Sequence, residues 1–278
     1  MGKYTRLIQL IADSGLGSTA AFHVPAPASA AWLALAHHRA YVDQVFTCMV
    51  PPLIEREIGF PVDERVSMRA RLATAGTVMA ARLALAEGLA CNTAGGSHHA
   101  RRAQGAGFCT FNDVAVAALL LIADGEVGSV LVIDLDVHQG DGTAEICTGT
   151  KAVRTVSMHS EKNYPVRKHP SSIDVALPDG VRDEAYLETL DWLLPRTIER
   201  FSPDLVFYNA GVDPHEDDRL GRLSLTDQGL KERDRRVFSF FRQRDIPVAS
   251  VLGGGYSRDI DAVARRHLFT FEAASEFT

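Results

Sequence analysis

The stretch "IDLDVHQGDG" (residues 133–142) sets Asp134, Asp136, His138 and Asp141 directly behind the apolar run "GSVLV". Carrying unpaired carboxylates out of water costs several kcal/mol, so such a cluster at the end of a buried strand needs a compensating partner, and a metal cation is a common one. Asp136 and His138 are separated by one residue, so on extended backbone both side chains project to the same face and can grip one ion. The segment "NAGVD" ends on Asp213, which offers a third ligand from a neighbouring strand end. Two carboxylates and an imidazole suit a divalent ion such as zinc, and three protein ligands leave a position open, as in a catalytic site. The same residues have a plainer explanation, in which Asp136 and Asp213 cap the following helices or turns and His138 is a satisfied core histidine.

The segment "GGSHH" ends on His98 and His99. Hydrolysis of a carbonyl compound by activated water needs a group that first accepts and later returns a proton, and imidazole does both near neutral pH. Each imidazole then needs an acid or carbonyl to orient its second nitrogen, and Asp134 and Asp141 are unassigned acids close by. Against this, His-His pairs are commonly incidental, and Asp141-Gly142 is also an ordinary turn dipeptide. Tyr256 follows three glycines in "VLGGGY". Its phenol could donate a hydrogen bond to a developing oxyanion. A glycine-rich phosphate cradle competes with that reading, but neither GxGxxG nor GxxxxGK[ST] occurs.

These residues need a scaffold that brings distant segments to one edge. Apolar periodicity predicts helices over residues 4–14, 28–48, 66–88, 112–123, 183–200, 226–243 and 258–267. Between them lie short apolar or β-branched runs at 129–135, 152–158, 173–177, 204–210 and 247–253, with a further short strand in "LACNTA". Continuous apolar strands alternating with helices indicate an α/β fold, with a central parallel sheet covered by helices on both faces. In an open parallel sheet all strand carboxyl ends share one edge, where such folds place their ligand crevice. The histidine pair, the Asp136 segment, Asp213 and Tyr256 all follow predicted strands, so four strand ends converge. The polar, Pro-bearing loop over residues 160–172 is a candidate rim.

The chain of 278 residues is 46% hydrophobic and 23% charged, which fits a globular protein of one domain over residues 1–278. The apolar run over residues 114–123 is about half the length of a membrane span and reads as a buried helix. A net charge of −6 with dispersed basic residues argues against a nucleic-acid surface and favours neutral or cationic substrates. Cys48, Cys91, Cys109 and Cys147 form no CxxC pair, so no disulfide framework or zinc knuckle is signalled and a reducing cytoplasm is expected. The first residues lack signal-peptide architecture, and Arg6 stands where a myristoylation signal needs Ser or Thr.

Five segments, "GGSHHA…GAGFCTFNDVAVAA", "VLVIDLDVHQGDGT", "VSMHSEKNYP", "NAGVDPHEDDRLGRLSLT" and "VLGGGY", resemble in order and spacing the zinc-dependent histone deacetylase family of the arginase-deacetylase fold. The phrasing around Asp213 looks most like its class IV branch and bacterial relatives. The resemblance implies zinc, with ferrous iron as the other candidate, held by Asp136, His138 and Asp213. It implies His99 as general base and acid, His98 as its electrostatic partner, Tyr256 as oxyanion donor, and Asp134 and Asp141 behind His98 and His99. It further implies an acyl-lysine tunnel lined by Gly107, Phe108, Tyr164 and Leu220. A potassium ion is implied at Asp134 and Ser157 together with the backbone carbonyls of Asp136, His138 and Met158. Family members begin with a strand and a His/Pro-containing segment upstream of the first helix, whereas this chain is expected to start within that helix, without the edge strand.

The implied reaction is hydrolysis of an acyl group, acetyl or longer fatty acyl, from the ε-amine of lysine in a protein or peptide. A small acylated amine such as an acetylpolyamine is the alternative substrate. An arginase-like ureohydrolase is disfavoured because Gly140 stands where its second metal would need an aspartate. A non-enzymatic reader of acylated lysine would be expected to lack one of the catalytic residues.

Overall fold

The computed structural model describes residues 2–18 and 20–277. Its strands are β1 (Leu89–Cys91), β2 (Val130–Asp134), β3 (Val153–Ser160), β4 (Ile173–Leu177), β5 (Leu205–Asn209) and β6 (Val248–Val251). They form one sheet in the order β1-β6-β5-β2-β3-β4, and every neighbouring pair is parallel. The helices are α1 (Gly2–Asp13), α2 (Ala30–Leu33), α3 (Arg39–Phe46), α4 (Pro52–Ile58), α5 (Glu64–Glu87), α6 (Asp113–Ala123), α7 (Asp141–Cys147), α8 (Asp183–Thr197), α9 (Asp227–Arg242) and α10 (Ile260–Ser275).

The period of two along each strand divides the core into two layers. Val130 and Val132 of β2, with Leu205 and Phe207 of β5, pack towards the layer of α3, α5 and α6. Leu131, Ile133, Val206 and Tyr208 pack towards α8, α9 and α10. All five residues of β2 and of β5 are buried, which is why these strands read as unbroken apolar runs. Helix α1 covers part of α10 through Leu7 and Ile11 against Ala264 and Leu268.

From β2 the chain moves outward through β3 to β4, then returns to β5 on the other side of β2 and continues to β6. The connections leaving β2 and β5 therefore run in opposite directions and open a crevice at their carboxyl ends. Asp134 lies level with Asn209 on one side and with Ser157 on the other.

The helix expected over residues 28–48 is instead two helices, α2 and α3. The amide of His38 donates to the Arg102 carbonyl at 2.7 Å, and a helix interior cannot spare that donor. The neighbouring His37 turns inward, with Nδ1 2.8 Å from the Arg101 carbonyl and Nε2 accepting from the Asn112 amide at 3.0 Å. The last helix runs on to Ser275, well past the expected 267. Asp141-Gly142 does not form a turn but opens α7.

Candidate functional site

Asp136, His138 and Asp213 each offer a ligand atom within 4.8 Å of the others, and all three are buried. Asp136 Oδ1 accepts from the His138 amide at 3.0 Å and lies 3.1 Å from its Nδ1. Asp213 Oδ2 lies 3.1 Å from the same Nδ1, while its Oδ1 accepts from the Val137 amide at 2.8 Å. The Gly254 amide donates to Asp136 Oδ2 at 2.7 Å. A Cβ on Gly254 would stand 2.0 Å from Asp213 Oδ2 and 2.8 Å from Asp136 Oδ2, so only glycine lets the carboxylates gather here. Burial opposes a charge on His138, but the two carboxylates outweigh it and raise the imidazole to about 10. Burial and repulsion from Asp136 push Asp213 up to about 7. Buried acids with a single nitrogen between them are a donor set that fits a divalent cation.

The two adjacent histidines sit on the loop that follows β1. Asp113, the first residue of α6, pins this loop by accepting from the Gly96 amide at 3.0 Å and the Ser97 amide at 2.8 Å. His98 Nδ1 is 2.7 Å from Asp134 Oδ2, and His99 Nδ1 is 2.7 Å from Asp141 Oδ1. The two rings lie 4.1 Å apart. Burial disfavours protonation of His98, yet Asp134 and Asp136 raise it to about 9. Burial and the charge of His98 push His99 down to about 3, so its ring is neutral at pH 7. Burial alone would raise the Asp141 carboxyl, but its bonds to His99 and Arg101 hold it below the ordinary carboxylate range.

Tyr256 leaves the glycine-rich segment after β6. Its amide donates to Asp218 Oδ2 at 2.6 Å, and its ring centroid is 6.2 Å from that of His138. Burial and the carboxylates of Asp213 and Asp136 raise its phenol well above the ordinary value, so it keeps its proton. Tyr256, both histidines, Gly107 and Phe108 line one cleft of about 320 Å³.

The comparison with protein families matches residues 1–271 to the histone deacetylase domain. The chain belongs to the histone deacetylase family. It is 42% identical to an uncharacterized protein of Picosynechococcus over 99% of this chain and 92% of that one. It is 31% identical to histone deacetylase 2 of Arabidopsis thaliana, over 92% of this chain and 68% of that one. The crystal structure of the HDA15 HD domain shares its fold, with a TM-score of 0.81 and 24% identity across 99% of this chain and 81% of the other.

Of the four residues expected to line a tunnel, Gly107, Phe108 and Tyr164 lie beside His99 or Tyr256. Gly107 adopts φ 53°, and a Cβ there would meet the His99 ring at 2.6 Å. The Tyr164 ring stands edge-on to His99 at 4.7 Å, and the Phe108 ring lies 5.6 Å from Tyr256. Leu220 is held through its carbonyl, which accepts from Asn163 Nδ2 at 2.6 Å. Tyr164 and Asn163 belong to the loop expected at the rim. On the strand side, Asp134 Oδ1 accepts from Asn209 Nδ2 at 3.0 Å, and Ser157 Oγ lies 2.9 Å from His159 Nδ1.

Several site residues escaped the sequence reading. Arg101 Nη2 reaches Asp141 Oδ2 at 2.8 Å, and its place directly after "HHA" was the available signal. Lys3 and Tyr4 of α1 also line the cleft, Lys3 Nζ lying 3.3 Å from the Gly253 carbonyl. Nothing local marks those two. Among the described residues no helix is long and apolar enough to cross a membrane.

Proposed function

We propose that this chain is a zinc-dependent amidohydrolase that removes acyl groups, acetyl or longer, from the ε-amine of lysine in proteins or peptides. The observation that carries this reading is that the buried Asp136, His138 and Asp213 cluster lies directly behind the cleft residues His99 and Tyr256, whose ring centroids are 5.8 and 6.2 Å from that of His138. Histone deacetylases among the relatives support the substrate class.

Asp136, His138 and Asp213 would hold the zinc ion, which would supply Lewis-acid polarisation of the acyl carbonyl and acidification of water. His99, oriented through Nδ1 by Asp141, takes the proton of the attacking water on its other nitrogen. The Tyr256 phenol donates to the oxygen that becomes negative in the tetrahedral intermediate. His99 then returns the proton to the departing amine, so the products are a carboxylate and free lysine. His98, paired with Asp134, contributes a positive charge beside the reacting groups. Gly107, Phe108, Tyr164 and Leu220 would line the path of the methylene stem of lysine. A potassium ion at Asp134, Ser157 and the carbonyls of Asp136, His138 and Met158 would balance the acids beneath.

The test is turnover by the zinc-loaded protein on lysine peptides bearing acetyl to myristoyl groups, with acetylspermidine in parallel. Acyl-lysine should be hydrolysed, and Tyr256→Phe should lower kcat by about 100- to 1000-fold. Zinc-dependent peptide binding without turnover would make the chain a reader, and turnover of acetylspermidine alone would move the substrate to small amines.

A further inference from the structure

Helix α9 carries a fully buried ion pair that the proposed chemistry does not use. Arg233 has 0% exposure and its neighbour Asp234 1%, and both Nε and Nη2 of the guanidinium lie 2.8 Å from Asp234 Oδ1. A buried ion pair of this kind contributes little net stability, because well-packed apolar residues often do as well in its place. The remaining nitrogen has a more specific task. Arg233 Nη1 donates to the Gly211 carbonyl at 2.6 Å and lies 3.4 Å from the Leu135 carbonyl. Leu135 immediately precedes Asp136, and Gly211 is two residues before Asp213.

One planar cation therefore spans the two loops that leave β2 and β5 at the crevice. Those loops have little freedom to close on each other, since a Cβ on Gly211 would already stand 2.3 Å from Asp136 Oδ2. Asp234 has anchors of its own. Asp234 Oδ1 also accepts from the Tyr208 hydroxyl, and Asp234 Oδ2 accepts from Thr270 Oγ1 of α10 at 2.7 Å. A fork of rigid donors can hold a carboxylate on one side and carbonyls on the other, whereas an ammonium on a flexible stem reaches them only in part.

We propose that Arg233 is a positioning residue that sets the separation of the Asp136 and Asp213 loops and thereby the affinity and geometry of the metal site. The inference rests on the metal-site reading above. Groups behind metal ligands typically change metal affinity 10- to 100-fold when removed.

The experiment compares wild type, Arg233→Met, Arg233→Lys and Tyr208→Phe. Each is read by chelator competition for zinc, by the visible spectrum of the cobalt-substituted protein, and by the Tm of the metal-free protein. Tyr208→Phe perturbs the same buried network without touching either loop carbonyl. The expected result is a roughly 10- to 100-fold loss of zinc affinity and an altered cobalt spectrum in Arg233→Met, with partial recovery in Arg233→Lys. Tyr208→Phe should lower the metal-free Tm while leaving affinity and spectrum at wild-type values. If Arg233→Met or Arg233→Lys folds and binds zinc like wild type, or if Tyr208→Phe loses affinity in step with its Tm, the positioning role is overturned. A wild type that takes up no ion in the same titration would defeat the metal reading itself, and the role of Arg233 with it.

Discussion

Asp141→Asn removes one charge from the site and almost no volume. In the native protein Asp141 Oδ1 lies 2.7 Å from His99 Nδ1, and Oδ2 receives Arg101 Nε at 3.0 Å and Nη2 at 2.8 Å. Both the bond and the charge of Asp141 raise the proton affinity of His99 against the burial that lowers it. The amide would weaken that support and leave the Arg101 cation with only the more distant Glu145 carboxylate, 4.0 Å away, so His99 becomes a poorer base. A hydrogen bond to a charged partner contributes about 1.5–3 kcal/mol, which corresponds to roughly a 10- to 150-fold fall in kcat. Steady-state kinetics of the fully metal-loaded variant on an acyl-lysine peptide should show this fall in kcat with KM nearly unchanged. Arg101→Met, which leaves the carboxylate on His99, should cost less. A metal-loaded Asp141→Asn with kcat within about twofold of wild type would refute the role assigned to this pair.

Gly254→Ala should weaken the metal site without removing any ligand. Its Cβ would stand 2.0 Å from Asp213 Oδ2, so the carboxylate must move, and zinc affinity measured by competition should fall at least roughly 10- to 100-fold. Wild-type affinity would show that the carboxylates do not need this close approach. A pH effect is expected at His37, which burial lowers from 6.5 to about 4. The unfolded chain takes up a proton near 6.5 while the folded chain resists until about 4, so this contribution is complete above pH 6.5 and is lost as the pH falls through that window. At about 1.4 kcal/mol per tenfold change in proton affinity it amounts to about 3 kcal/mol. Urea unfolding of the metal-free protein at pH 7 and 4.5 should show a smaller difference in His37→Gln than in wild type, and an equal difference would remove His37 from the account.

The parts of the site legible in the sequence are those fixed by local rules. Residues 130–134 announce a doubly buried strand by being apolar without a break, and the Asp136–His138 spacing follows from what comes directly after it. Four strand ends could be assigned to one edge because parallel strands share an edge, and the sheet obeys this. What stayed hidden depends on distant partners. The break between α2 and α3 comes from the His38 amide finding the Arg102 carbonyl. Arg233 and Asp234 sit in the charged run "KERDRR", whose composition does not mark these two as turning inward to Tyr208, Thr270 and Gly211. Lys3 reaches the cleft because α1 packs on α10 through Leu7 and Ile11, a pairing that no nearby residue encodes.

The most direct measurement is the divalent-metal content of purified protein, taken before and after chelation together with activity on an acyl-lysine peptide. One equivalent per chain is expected, with loss of activity on its removal, recovery with zinc, and no stoichiometric binding by a folded Asp213→Ala variant. Full turnover by metal-free protein, or an undiminished equivalent of zinc in Asp213→Ala, would contradict it.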